Sequence, residues 1–135
     1  MLPSGLPEHV DDEEDLARFL TQRNQFNSIM VKPSAFLPDH NARETSISRH
    51  GKAPLERLWE IGLVAAGNRK LYGAAIFKAR DVRSAHLEVV ADEPPPRHAV
   101  IKSWPWAEND PELQKAIQKE LAVIIASTAG PPLLR

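Results

Sequence analysis

Arg97 and His98 stand directly behind three prolines, Pro94, Pro95 and Pro96, and ahead of an apolar run closed by Trp104-Pro105. Proline fixes its own φ and restricts the residue before it, so the backbone reaches Arg97 with little freedom. Arginine offers a planar fork suited to phosphate or carboxylate, and histidine moves a proton near neutral pH. If the strands before and after the prolines are neighbours, His86 and His98 face one cleft. Two histidines and an arginine suffice for metal-free phosphodiester chemistry: a base, an acid and a charge stabiliser. The plain alternative is that Arg97 neutralises Asp92 or Glu93 while His98 satisfies a backbone carbonyl.

Other polar groups fall into short patterns. In Ser46-Ile47-Ser48-Arg49-His50, a strand would send Ser46, Ser48 and His50 to one face, where hydroxyls beside a histidine bind phosphate or carry a proton. Lys32, Arg49, Arg83 and Lys102 add cations. His86 and Glu88, two apart on a strand, form a second acid–base pairing or a plain surface pair. A Ser-His-Asp triad can be drawn from Ser46 or Ser48, His98 and Asp81, but these residue types occur in any chain this long. Trp104-Pro105-Trp106 presents two large rings, either a stacking or docking platform or a lid on the core. Trp59, on an amphipathic segment, reads as core.

Much chemistry is excluded. With no cysteine there is no disulfide, thiolate nucleophile or thiolate metal site. The five histidines are scattered and no two lie within a helical turn, so neither a metal nor a cofactor is expected. No glycine-rich phosphate loop occurs. No apolar run approaches a membrane span, and residues 1–15 lack the basic-then-apolar order of a secretory leader, so a cytoplasmic, bacterial-type protein without a membrane association is expected. The net charge of −1 conceals an asymmetry: six acids and no lysine or arginine lie in residues 8–15. All seventeen lysines and arginines follow, against the remaining twelve acids, a balance of +5. The acidic run either starts a helix or docks on a basic face.

These groups need positioning elements. The 135-residue length suits one domain. Residues 1–11 read as a disordered, acidic, proline-containing lead-in, residues 12–128 as a single α+β domain and residues 129–135 as a frayed tail. Leu16, Phe19 and Leu20 suggest a helix over 12–22. Residues 30–38, punctuated by Pro33 and Pro38, read as an extended edge. Strands are expected over 44–50, 71–78, 86–90 and 100–103, with Gly73 a bulge or a close-approach point. A turn or single helical turn fits 80–84. Helices are expected over 53–66, with Leu55, Leu58, Trp59 and Leu63 in a stripe, and over 110–127 behind Asp110-Pro111. The sum is a small, mostly antiparallel sheet of four or five strands packed with about three helices.

Four blocks, Lys32-Pro33-Ser34-Ala35-Phe36-Leu37-Pro38, Glu44-Thr45-Ser46-Ile47-Ser48-Arg49, Asp81-Val82-Arg83 and Pro95-Pro96-Arg97-His98-Ala99-Val100-Ile101 through Trp104-Pro105, resemble a family of small uncharacterised bacterial proteins. The resemblance carries no activity; it implies that the blocks form one site or one structural unit. The expected function is a non-enzymatic accessory or binding module. Its ligand would be an anion (a nucleotide or nucleic acid) or a partner protein. Arg97, His98, Arg83, Arg49, Ser46, Lys32 and Trp104 would line the site, with Trp104, Trp106 or the C-terminal helix meeting a protein partner. The alternative is a small metal-independent nuclease or phosphodiesterase using His98 and His86 with Arg97.

Overall fold

A computed structural model describes residues 2–135. One antiparallel sheet of six strands runs in the order β4-β5-β2-β1-β3-β6. The strands are β1 (Asp15–Leu20), β2 (Thr45–Arg49), β3 (Gly73–Lys78), β4 (Glu88–Ala91), β5 (His98–Lys102) and β6 (Leu133–Leu134). Three helices, α1 (Leu55–Ala66), α2 (Ala79–Ser84) and α3 (Pro111–Ala129), complete an α+β fold. The class is as expected; the sheet is larger than the four or five strands anticipated.

Two segments account for most of the difference. Residues 15–20 form an inner strand, not the middle of a helix: Leu16 sits between Arg49 of β2 and Phe77 of β3. Leu16 and Leu20 satisfy a helical face, yet they also share one face of a strand, and pairing on both sides decides between the two. The sixth strand comes from the tail expected to fray. Leu133 and Leu134 pair with Ala74 and Gly73, and a Cβ at position 73 would stand 2.2 Å from the Leu133 carbonyl oxygen. Gly73 is therefore a close-approach point. The lead-in is also tied down, with Val10 only 2% exposed and the Pro7 carbonyl accepting a hydrogen bond from Arg49.

The sheet's two faces are covered unequally. Leu16, Leu20, Ile47, Phe77 and Ile101 point to the face covered by α2, α3 and the short 3-10 turn Pro33–Ala35, forming the main core. Phe36 meets Phe77 edge to face at 5.3 Å, and Trp104 is buried in the same core. On the opposite face Ala17 and Ala74 pack with Leu58, Phe19, Trp59 and Ile76 beneath α1. Gly62 brings α1 close, since a Cβ there would lie 2.7 Å from the Phe19 ring. Only part of the expected α1 stripe is used: Leu58 is buried, whereas Leu55 and Leu63 are exposed. On this face a cavity separates α1 from β2 and β5.

Candidate functional site

Most of the cations expected to form a cleft serve the fold. Arg49 is fully buried and grips Glu14 through two hydrogen bonds of 2.6 and 2.7 Å, with a third at 2.6 Å to the Pro7 carbonyl. Arg83 binds Asp12 at 2.5 Å and the Val10 carbonyl at 2.6 Å. Arg80 with Glu13, and Lys78 with Asp15, extend the same seam, so the acidic run docks on a basic face. Arg97 donates to the Arg49 and His50 carbonyls, both at 2.8 Å, and adopts a left-handed φ of 65°. Its fork is occupied by backbone. Burial, then Arg57 and Arg49, lower its pKa, against the raising effect of Glu14 and Glu93.

Four further expectations receive different places. The Trp104 side chain is core, and its buried Nε1 has no hydrogen-bond partner among the described residues. Lys32 is exposed and lies outside the cavity described below, its backbone N–H donating to Gln25. His86 and His98 are not brought together. Glu88 pairs with Lys102 at one end of the β4–β5 hairpin, whereas His98 begins β5 at the other. Five strand residues span about 13 Å, beyond hydrogen-bond reach. Asp81 is engaged at the start of α2, where its carboxylate accepts from the Lys78 N–H.

What the fold does assemble is a cavity of about 550 Å³ between the sheet and α1. Its apolar wall includes Phe19, Ile61, Val64, Pro95 and Pro96, and its polar groups include Arg18, Arg69, Ser46, Ser48 and His98. The opening arises where β1 and β2 part. They pair at Leu16↔Arg49 and Ala17↔Ser48, and continuing that register would set Phe19 against Ser46. Instead Arg18 Nη1 donates to the Ser46 carbonyl at 2.9 Å and Nε to the Ala35 carbonyl at 2.8 Å. Burial, aided by the nearby Arg69 charge, pushes the Arg18 pKa down to about 10. It therefore remains a cation at neutral pH.

Arg69 is held similarly. Its Nε and Nη2 donate to the Ala66 and Ala65 carbonyls at the end of α1, at 3.1 and 3.0 Å. Cations at a helix C-terminus are favoured by the orphan carbonyls there. Among the described residues neither Arg18 nor Arg69 has a carboxylate within 4.0 Å. Arg57, on the same wall, does: Glu60 stands 3.2 Å away.

Beside Arg18, which holds the Ser46 carbonyl, three side chains form a chain. Ser48 lies directly opposite His98 across β2 and β5, so the serine face and the imidazole coincide. The ring leans diagonally to Ser46, with Nε2 2.7 Å from Oγ. Asp92 extends the hairpin, its N–H donating to the His98 carbonyl at 2.9 Å. His98 Nδ1 meets the Asp92 carbonyl oxygen at 2.9 Å and its carboxylate at 3.2 Å. A carbonyl only accepts, so Nδ1 carries the proton. In the neutral ring Nε2 then accepts, and the Ser46 hydroxyl donates to it. Ser48 Oγ, on this flank, is buried without a partner among the described residues, as is Nδ1 of His50 just beyond β2.

Of the residues singled out in the sequence, Ser46, Ser48 and His98 thus meet in one cavity. Arg18, Arg69 and Asp92 were not picked out as site residues. A signal for Arg18 exists: strand alternation assigns it to the face of Leu16 and Leu20, where a guanidinium is out of pattern, and the side chain instead reaches across to the Ser46 carbonyl of β2 and lines the cavity. The helical reading of the segment hid it. Arg69 and Asp92 carry no comparable signal, because each acts through chain-distant neighbours. Among the described residues no group of three or more His, Asp or Glu side chains is placed to hold a metal ion, and no helix is long and apolar enough to cross a membrane. No protein family, curated protein or solved structure matches the chain.

Proposed function

We propose that the protein binds a small amphipathic anion, a carboxylate or phosphate monoester with an apolar body, in the cavity between α1 and the sheet. The single observation behind this reading is that Arg18 and Arg69, two neighbouring guanidinium groups without carboxylate partners, line one largely apolar cavity. A positive charge in such surroundings is unfavourable until an anion joins it. The volume of about 550 Å³ falls in the range of small-molecule sites. The Phe19, Ile61 and Val64 wall favours a ligand with its own apolar surface over a polymer backbone lying in an open groove. This reading keeps the anion-recognition role expected from the sequence and moves its centre from Arg97 to Arg18 and Arg69.

Calorimetric titration with octanoate, phenyl phosphate and the uncharged 1-octanol tests it. Binding of at least one anion is expected, weaker at higher salt, with 1-octanol the poorest ligand. Arg18→Met is expected to weaken the anion at least tenfold, about the worth of one charge-assisted hydrogen bond. Failure of both anions to bind the native chain, or equal affinity in Arg18→Met, would reject the reading.

A further inference from the structure

We infer that Ser46, His98 and Asp92 form a nucleophile, base and orienting group that hydrolyse a carboxylic ester held in the cavity, an inference that rests on the anion-pocket reading for its substrate. Three observations converge. The Ser46 Oγ to His98 Nε2 distance of 2.7 Å is that of a made hydrogen bond. The Asp92 carbonyl and carboxylate both face Nδ1, at 2.9 and 3.2 Å, which places the ring proton there and leaves Nε2 free to take the serine proton. The pair opens onto the cavity, because Ser46, His98 and Arg18 all line it. A surface Ser–His contact would satisfy the first observation alone; the held tautomer and the adjoining apolar chamber distinguish this one.

The steps balance with water as the only co-reactant. Ser46 Oγ bonds to the ester carbonyl carbon as His98 Nε2 takes its proton, and the carbonyl oxygen becomes an anion. Arg18, whose Nη1 is bonded to the Ser46 carbonyl at 2.9 Å, supplies the positive charge beside that oxygen. The bond to the leaving oxygen breaks, His98 returns the proton to it and the alcohol departs, leaving an acyl group on Ser46. Water then gives a proton to His98 and attacks the same carbon. The acid leaves, and Ser46 regains its proton. Arg69 remains for an anionic group elsewhere on the substrate, so the substrate class is an ester of a dicarboxylic acid or a comparably charged acyl group.

Two measurements on the full chain test this. An alkyl fluorophosphonate, whose phosphorus bonds to the serine oxygen as fluoride leaves, is expected to label Ser46 on peptide mapping and not to label His98→Ala. Hydrolysis of mono-4-nitrophenyl glutarate is expected to exceed that of the uncharged 4-nitrophenyl valerate about tenfold in kcat/KM, one charged contact's worth. Ser46→Ala and His98→Ala should each lose about a thousandfold of kcat. Asp92→Asn should lose less, about tenfold, because its backbone carbonyl still holds the Nδ1 proton. Absence of label on native protein, label at another serine, or equal turnover by Ser46→Ala would overturn the inference. If the native chain binds octanoate yet shows neither label nor turnover, catalysis fails and the anion pocket stands; if it binds no anion either, both fail.

Discussion

Arginines in this protein occupy two contrasting regions. Along the N-terminal seam, Arg49, Arg83 and Arg80 each meet an acid from residues 12–14, and the charges cancel pair by pair. Across the sheet, Arg18 and Arg69 bind only backbone carbonyls and a hydroxyl, and their charges stay uncancelled beside a cavity. The same side chain serves in one place to fasten a segment and in the other to hold a charge available. The difference lies in what the chain offers nearby. Six acids cluster in residues 8–15, up to the first residue of β1, whereas Glu60, an acid on the cavity wall, already faces Arg57. Local charge count alone would have placed the anion site on the seam, where the cations are most numerous and least free.

Substitutions can break this contrast from either side. Glu14→Gln leaves Arg49 buried without its carboxylate and is expected to destabilise the protein by about 3–5 kcal/mol in a urea titration while leaving octanoate affinity intact. Equal loss of affinity would merge the two regions. Arg18→Met orphans two backbone carbonyls and is expected to lower stability by about 1–3 kcal/mol, with the tenfold or larger loss of anion affinity as its distinguishing mark. Asp12→Asn removes the exposed partner of Arg83 and should alter stability by less than about 1 kcal/mol, fading as salt is added. A change as large as that of Glu14→Gln would show the seam to be one cooperative unit.

The smallest effect is expected from pH. Burial lowers the His50 pKa from its ordinary 6.5; Asp15 opposes the shift and Arg97 reinforces it. The folded state thus favours neutral His50, so its contribution is complete above pH 6.5 and is lost as pH falls from there through the folded value. His50→Gln should flatten the pH dependence of the melting temperature in that window. A slope unchanged by the substitution would assign the dependence to another group.

The sequence made several elements legible for local reasons. Asp110-Pro111 marks the start of α3, and Asp110 Oδ1 does accept from the Leu113 N–H at 3.1 Å. The alternation around Ile47 marked β2, and with it the common face of Ser46 and Ser48. The two residues of the Arg-His segment behind the prolines part ways in the structure. Left-handed backbone at Arg97 turns its guanidinium onto the end of β2, while His98 opens β5 and faces the cavity. Such a division needs a dihedral angle that no residue type announces.

Composition and periodicity determined the class, the helices α1 and α3, and a cationic body under an acidic N-terminal run, because these depend on neighbours within a few residues. Only the tertiary structure decided which cations remain without an acid, since that depends on which chain-distant carboxylate arrives first. It also decided that β1 and β2 part after two pairs, which opens the cavity, and that Asp92, not Asp81, stands behind His98. Sheet register set these last relations, and register is fixed by the burial of whole faces rather than by any residue in the site.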